Sequence, residues 1–331
     1  MKLSIIDQAL ISSNQSARDA LNNSVRLAQA AEKLGYMRYW IAEHHDLPGL
    51  ACSAPEIMIP YICAKTSHIR VGSGAVLLPF YRPYKVAETY NMLATLFPNR
   101  IDIGIGRAPG GSAEATNALH ERYLEQVWKM PEHIKELLQF ISQSFPVDHE
   151  YSKITASPLP EIPPKPWLLG TSSKSAKLAA ENGLPYAFGY FMSNNDSKEI
   201  IQAYLDSYSQ ENHAEQPQVI ITVSAVCADT NQKAEDIALS SLIWSIQRAK
   251  GEDNEGVPSI EEAKKYQLTN EEEEQLEKLK SKMIIGDPSA VIQKLTKIQQ
   301  YYKADEIMIN TITHWLEDRI TSYSLIAENS N

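Results

Sequence analysis

The sequence predicts an α/β protein built as a single (β/α)8 barrel, or TIM barrel, over residues 1–331. Short runs rich in β-branched or aromatic residues alternate with longer helical patterns along the whole chain, which is typical of parallel strands joined by helices. We count eight such strands, and the length of 331 residues is usual for this barrel. A doubly wound open sheet normally has fewer units.

Each predicted strand is a short apolar run followed by a polar or proline-containing turn. The predicted strands are residues 2–6, 38–42, 69–78, 100–106, 165–170, 185–191, 218–228 and 304–310. The alternation of these runs with helical patterns predicts that all of them are parallel.

The helices are predicted from apolar residues at helical spacing and from their end signals. They span residues 16–35, 54–66, 83–96, 112–144, 173–182, 196–211, 231–248, 288–302 and 315–327. In the first, Leu21, Val25 and Ala28 share one face and Gly35 suits a C-terminal cap. Pro83 and Pro288 suit first-turn positions.

Two stretches interrupt the alternation. Residues 145–166 are rich in proline and predict an ordered surface connection with a short hairpin. Residues 251–283 are dense in charge, with a helix expected over about 270–282. Composition favours a solvated insertion, whereas long insertions in compact domains also act as active-site lids.

Composition excludes several classes of protein. The chain has 31 basic and 41 acidic residues, and the net charge of -10 lacks the basic excess of a nucleic-acid-binding surface. The three cysteines form no CxxC pair and suit a reducing compartment. We find neither a signal peptide nor a run of about 18 apolar residues, so we expect a cytoplasmic protein with no membrane partner.

Active sites of these barrels lie at the carboxyl ends of the strands. Glu43, His44 and His45 directly follow the second predicted strand and are therefore expected there. An adjacent histidine pair is more often structural than catalytic. It also lacks the HExxH spacing of a zinc hydrolase, so no metal site is predicted. The chain has no GxSxG elbow, no Walker loop and no GxGxxG after the first strand.

A possible anion site combines the ends of the fourth and fifth predicted strands. Arg107 lies among glycines in "GIGRAPGG", which let an anion approach a guanidinium closely. The stretch "GTSSKSAKLAA" places Thr171, Ser172, Ser173 and Ser175 at the start of a helix, where free N–H groups favour a phosphate. A structural salt bridge of Arg107 and an ordinary serine N-cap are the alternative interpretations.

Several of these segments together resemble the bacterial luciferase-like family of flavin-dependent monooxygenases. They are "EHH", "VGSGAVLLP", "GIGRAPGG", "LGTSSKSAKLAAENGLPYAFG" and "IIGDPSAVIQKL", in that order. The resemblance implies a luciferase-like barrel with insertion segments that binds reduced FMN supplied by a separate flavin reductase. It also implies that molecular oxygen forms a flavin C4a-hydroperoxide, which oxidises a small organic substrate such as an aldehyde or alkane. A homodimer through helices 16–35 and 54–66 is expected as well.

The resemblance assigns roles residue by residue. His44 matches the histidine linked to catalysis beside the flavin, where a neutral imidazole can accept or donate a proton. Arg107 matches the arginine that holds the FMN phosphate. Ser172 and Ser175 match donors to that phosphate, and Ser173 is expected beside them. Thr171 stands where the luciferase α chain has a glutamate. Gly74 and Ala75 fall where the family often has a non-prolyl cis peptide under the flavin ring.

The resemblance also favours the lid interpretation of residues 251–283, because luciferase has a mobile loop in the corresponding region. Two alternatives stay open. One is a deazaflavin-dependent oxidoreductase on the same barrel, for which Arg107 and Lys174 are the candidate basic groups. The other is a flavin-binding protein without turnover. For an enzyme, the residues expected to line an apolar substrate pocket are Phe80, Tyr81, Phe191 and Met192. The alternative is that these side chains only pack against their neighbours.

Overall fold

The computed structural model describes residues 1–193, 197–208, 216–252 and 256–330. In these ranges ten strands form one parallel arrangement, and eight of them close a barrel with helices outside, which confirms the predicted (β/α)8 fold. The strands are β1 (Leu3–Asp7), β2 (Arg38–Ile41), β3 (Arg70–Ser73), β4 (Val76–Leu77), β5 (Ile101–Gly106), β6 (Lys165–Gly170), β7 (Tyr186–Gly189), β8 (Val219–Cys227), β9 (Ile284–Gly286) and β10 (Glu306–Asn310). The barrel closes because β10 pairs with both β1 and β8.

The described residues form thirteen helices, several of which begin at residues with recognisable capping chemistry. They are α1 (Ala17–Lys33), α2 (Pro55–Cys63), α3 (Pro83–Leu96), α4 (Ala113–Leu119), α5 (Tyr123–Trp128), α6 (Met130–Ser142), α7 (Ser173–Glu181), α8 (Lys198–Ser207), α9 (Asn231–Lys250), α10 (Ile260–Lys265), α11 (Asn270–Lys282), α12 (Pro288–Tyr302) and α13 (Leu316–Asn329). Before α1, the Ser16 side chain accepts from the Asp19 N–H and Asp19 accepts from the Ser16 N–H, which is a capping box. Gly35 follows the helix with a φ of 79°.

The third predicted strand is divided into β3 and β4 by Gly74 and Ala75, whose peptide bond is cis. Val71 pairs with Ile101 and Val76 pairs with Ile105. The strand therefore carries one more residue than its partner between the two pairings, as in a β-bulge, and bends at the rim of the barrel.

Two other predictions differ from the structure. The helix predicted over 112–144 is three helices, because His120 has an extended φ of -154° and Pro131 begins a new first turn. The hairpin predicted within 145–166 is wrong: the stretch forms turns, and its prolines lack the N–H groups that a ladder requires. Of the helix predicted over 196–211, residue 196 and residues 209–211 lie outside the described residues.

The barrel interior has an apolar layer above a charged layer. Trp40, Trp167, Ile220 and Met308 are in the apolar cluster that fills the barrel. At the amino ends of the strands, Arg38 donates to Asp102 at 2.7 Å and to Glu306 at 2.8 Å, with all three side chains buried. Burial raises the pKa of Asp102, but the charges of Arg38 and Arg70 outweigh burial and lower it. Polar groups at this end of a barrel serve stability, so the site is expected at the opposite end.

Across the described ranges we find no helix that combines the length and the apolar character needed to cross a bilayer.

Candidate active site

A cavity of about 1020 Å³ opens at the carboxyl ends of the barrel strands. Residues in the segments that follow several strands reach it, including Gln8 after β1, His44 after β2, Arg107 after β5 and Thr171 after β6. Parallel strands bring their carboxyl ends to one rim, which is why residues distant in sequence converge there.

The segment after β2 is organised by the buried carboxylate of Glu43. This carboxylate accepts hydrogen bonds from the Tyr81 hydroxyl at 2.6 Å, from His45 Nε2 at 2.9 Å and from the Leu77 N–H at 3.0 Å. Burial raises the pKa of Glu43, and the three hydrogen bonds oppose that rise. Glu43 and His45 therefore tie the end of β2 to the residues around β4.

His44 lines the cavity together with Glu43, whereas His45 does not. Its N–H donates to the Cys52 carbonyl at 2.9 Å, which fixes the backbone. Its Nδ1 is buried, and no polar atom of the described residues hydrogen-bonds to it. Burial lowers the pKa of His44 to about 4, with smaller contributions from the charges of Arg248 and His45. The imidazole is therefore neutral near pH 7, with a nitrogen able to take up a proton.

Two glycines allow the loop after β5 to lie against the loop after β2. A Cβ at Gly111 would lie 2.0 Å from the His45 carbonyl oxygen, and one at Gly110 would lie 2.4 Å from Leu77. The His45 N–H also donates to the Gly110 carbonyl at 2.9 Å. This close approach brings the exposed Arg107 to the same rim as His44. Within the described ranges, no carboxylate forms a salt bridge with Arg107.

The start of α7 is the second part of the predicted anion site. Ser172 is its N-cap, and the Ser172 side chain accepts from the Ser175 N–H. The Ser175 hydroxyl lies 2.9 Å from the Tyr186 hydroxyl and donates to the Ser172 carbonyl at 2.8 Å. Ser172, Lys174 and Ser175 line the cavity, and the N–H groups in the first turn of a helix have no carbonyl partner within the helix. The arrangement suits an anion with several oxygens.

The cavity floor is built from small residues around the cis peptide. Gly74 and Ala75 both line the cavity. A Cβ at Gly74 would lie 2.9 Å from Ile6 Cδ1, and a Cβ at Gly106 would lie 2.8 Å from the Ala75 Cβ. Because these positions carry no side chain or only a methyl group, a ligand in the cavity can lie close to the backbone.

The structure brings most of the predicted site residues to one cavity. These are His44, Gly74, Ala75, Arg107, Thr171, Ser172 and Ser175. Ser173 is exposed at the start of α7 and is not part of the lining. Phe191 and Met192 line the cavity, whereas Phe80 and Tyr81 lie behind Glu43 and His45 and do not.

Sequence reasoning missed the contributions of two helices and of the last strand. Trp244 and Arg248 of α9, Met283 after α11 and Asn310 at the end of β10 all line the cavity. Asn310 had a detectable signal, since it ends a predicted strand. The two α9 residues had no such signal in the sequence, because their position depends on how α9 packs across the end of the barrel.

Comparison with known proteins places the chain among enzymes. A family model described as luciferase-like monooxygenase matches residues 1–303. The N-acetyl-S-alkylcysteine monooxygenase of Bacillus subtilis (strain 168) is 34% identical over 330 residues, covering 99% of this chain and 98% of that protein. The solved structure of apo-MsnO8 has a TM-score of 0.88 at 33% identity and covers 99% of this chain and 98% of that one.

A more distant structure shares the fold. It is the oxygenating constituent of 3,6-diketocamphane monooxygenase from the CAM plasmid of Pseudomonas putida, solved in complex with FMN. Its TM-score is 0.75 at 18% identity, over 100% of this chain and 97% of that one. The family match over residues 1–303 and the 34% identical relative lead to one conclusion: this chain belongs to the luciferase-like monooxygenase family.

Proposed function

We propose that this protein is the oxygenase of a two-component system that uses reduced FMN and molecular oxygen to oxidise a small organic substrate. One observation carries the proposal: a single cavity joins a neutral histidine to a cationic, hydroxyl-rich mouth. The diketocamphane monooxygenase constituent named above holds FMN on the same fold, which supports the choice of flavin.

The residues fit FMN in size and in chemistry. Pockets for drug-sized ligands occupy roughly 300–1,000 Å³, so a cavity of about 1020 Å³ has room for FMN and a small second molecule. Arg107 and the first turn of α7 with Ser172 and Ser175 would hold the phosphate. Gly74 and Ala75 would support the ring. Reduced flavin supplies the electrons that place one atom of oxygen on the substrate and release the other as water.

His44 would handle protons in this reaction. The ring is neutral above its lowered pKa, so a nitrogen facing the cavity can accept a proton and later return it. Burial of the ring keeps the charged form unfavourable, which helps the proton to leave again. Glu43 and His45 hold the loop that carries His44 and act as positioning residues.

Residues 251–283 would cover the cavity and exclude water, as the lid hypothesis requires. Leu279, Lys282 and Met283 already line it. Surface ion pairs hold the segment against α9, including Lys264 to Asp236 at 2.9 Å. Of this segment, residues 253–255 lie outside the described residues. Its mobility stays a prediction, and its expected benefit is protection of reactive oxygen chemistry from solvent.

A separate reductase would supply the reduced FMN, in keeping with the relative named as an oxygenating constituent. A cytoplasmic location stays a prediction. The resemblance predicts a homodimer through helices 16–35 and 54–66, which correspond to α1 and α2. We keep α2 and propose the neighbouring α3 in place of α1, because Ile57 is 67% exposed and Leu96 is 61% exposed, whereas none of the exposed large apolar side chains lies on α1. Exposed apolar residues of this size on two adjacent helices favour a protein interface.

The test is an anaerobic titration of the protein with photoreduced FMN and with reduced riboflavin, which lacks the phosphate. We expect Arg107→Ala to weaken FMN binding roughly 10- to 30-fold and to leave riboflavin binding unchanged, because one charge-assisted hydrogen bond is removed. Arg26→Ala is the matched control, since Arg26 pairs with Glu317 on the outside of the barrel. Transfer of ¹⁸O from ¹⁸O₂ to panels of aldehydes, alkanes and thioethers then tests oxygenation.

Two results would overturn the proposal. If the wild type does not bind reduced FMN but binds reduced deazaflavin, the deazaflavin-dependent alternative replaces it. If FMN binds and no substrate in the panels drives oxygen consumption above the rate without substrate, the flavin-binding alternative without turnover is favoured.

A further inference from the structure

A row of uncharged polar side chains lines one side of the cavity. It consists of Gln8 after β1, Thr222 and Ser224 in β8, and Asn310 at the end of β10. These strands are neighbours, since β10 pairs with both β1 and β8, and Asn310 lies opposite Ser224 in the register. The four side chains therefore belong to one continuous surface, which we call the polar wall.

The period of the strands explains why the polar wall faces inward. Ile220 and Met308 belong to the apolar cluster that fills the barrel. Thr222 and Asn310 follow them by two positions, and residues two apart in a strand point to the same side of the sheet. The polar wall is thus the next layer of the barrel interior, directly above the apolar one.

The polar wall offers hydrogen-bonding groups that the protein itself does not use. Thr222 is 5% exposed and Asn310 is 4% exposed. None of the four side chains forms a hydrogen bond with a residue that the structure describes. Buried polar groups are normally paired, as in Asn91, whose amide nitrogen donates to the Ala156 carbonyl at 2.8 Å. The polar wall therefore indicates a ligand that supplies the partners.

The polar wall lies across the barrel from the groups proposed to hold FMN. The barrel strands follow one another in the order β10, β1, β2, β3, β5, β6, β7 and β8, and strands four places apart lie on opposite sides. Hence β8 is opposite β3, β10 is opposite β5, and β1 is opposite β6. The cis peptide follows β3, Arg107 follows β5 and Ser172 follows β6. A flavin bound to those groups leaves the polar wall to face a second molecule.

The side chains of the polar wall indicate the chemistry of that molecule. The carboxamides of Gln8 and Asn310 each have an acceptor oxygen and two donor hydrogens, and each hydroxyl can donate and accept. An amide group has both a carbonyl acceptor and N–H donors, so it can pair with both kinds of group. A carboxylate only accepts hydrogen bonds and would leave the carboxamide oxygens without a donor.

We propose that the polar wall binds an uncharged amide group of the substrate, with Asn310 as the residue that determines this specificity. The oxidation of that substrate rests on the function proposed above, whereas the binding preference does not. The rest of the substrate then lies between the polar wall and the flavin. His44 is close to this space, because it follows β2, the strand beside β1.

The experiment is calorimetric titration of the anaerobic protein, with and without reduced FMN, using hexanamide, heptan-2-one and hexanoate. In heptan-2-one a methyl group replaces the amide nitrogen, and hexanoate has a charge in place of the amide. We expect hexanamide to bind the wild type about 10-fold more tightly than either of the others. Asn310→Leu should weaken hexanamide binding about 10- to 100-fold and abolish its advantage over heptan-2-one.

A thermal melt separates this role from a structural one. Because Asn310 has no hydrogen-bond partner among the described residues, Asn310→Leu should leave the unfolding midpoint unchanged or raise it. Asn91→Leu is the matched control at a buried asparagine of α3. It should lower the midpoint, because the bond to Ala156 is lost, and leave the preference for hexanamide over heptan-2-one unchanged.

Two binding results would refute the amide site: equal wild-type affinity for hexanamide and heptan-2-one, or tighter binding of hexanoate than of hexanamide. A lower midpoint for Asn310→Leu with equal losses of both neutral ligands would also refute it, because Asn310 would then be structural. The affinity for reduced FMN is measured for every variant. An Asn310-dependent preference for the amide in a protein that binds no reduced FMN would support the amide site and overturn the proposed oxygenation.

Discussion

The buried carboxylate of Glu43 offers the most direct test of how the candidate site is built. Glu43→Ala removes the acceptor of three hydrogen bonds, from Tyr81, His45 and Leu77. The Leu77 residue is only 5% exposed, so its N–H cannot turn to bulk water. Each buried donor left without a partner costs about 1–3 kcal/mol. Because Tyr81 and His45 are half-buried and can recover some hydration, we expect a total loss of about 3–5 kcal/mol.

This loss is measurable as a change in thermal unfolding. With about 2.1 cal/mol/K of unfolding entropy per residue, a chain of 331 residues has an unfolding entropy of about 0.7 kcal/mol/K. The midpoint of Glu43→Ala should therefore fall by about 4–7 °C in a circular-dichroism melt. Glu43→Gln keeps an acceptor oxygen in nearly the same place, so its unfolding midpoint should fall by only about 1–3 °C.

Glu161→Ala is the matched control, since Glu161 is exposed on the connection before β6. A shift below about 1 °C for Glu43→Ala would mean that the three hydrogen bonds do not hold the loop. The reasoning on His44 positioning would then fail as well, because His44 depends on the same loop.

The remaining predictions concern acid stability and assembly. In the folded protein the pKa of His44 is lowered from 6.5 to about 4. As the pH falls from about 6.5 to about 4, the unfolded chain therefore binds the proton and the folded protein does not, so the free energy of unfolding decreases across this range. The free energy of unfolding is measured by urea titration at pH 7 and at pH 4.5. Between these two pH values it should fall by about 2–3 kcal/mol less in His44→Gln than in the wild type. Equal decreases in the two proteins would contradict the buried neutral imidazole. For assembly, Ile57→Arg with Leu96→Arg should convert a dimer into a monomer in light scattering, because charges would enter an apolar contact. Val147→Arg, at a position 94% exposed elsewhere, should not do so, and a double variant that stays dimeric would exclude the α2–α3 face.

The alternation of strands and helices could be read from the sequence because it depends on local patterns. Apolar runs with period two and helical periods are properties of a few consecutive residues. The order of strands then follows from parallel pairing and short right-handed connections. For the same reason, the strand-end positions of His44, Arg107 and Ser172 were predictable without the structure. Proline positions such as Pro83 and Pro288 marked helix starts for an equally local reason.

The different roles of Glu43, His44 and His45 could not be predicted from local sequence patterns. All three follow β2 in sequence, yet only the tertiary structure places Leu77 and Tyr81 where they bind Glu43. That placement requires the extra residue at the bend between β3 and β4. A bulge changes the direction of a side chain without leaving a strong sequence pattern.

By itself, the sequence determined that the chain forms an eight-stranded parallel barrel and which residues stand at its strand ends, because periodicity and chain order act locally. Only the tertiary structure decided which of those residues face the cavity, that α9 brings Arg248 and Trp244 over it, and that Arg38 reaches Glu306 across 268 residues of sequence. These contacts arise when the barrel closes. Closure brings together groups whose attraction depends on distance in space and leaves no trace in the spacing of residues along the chain.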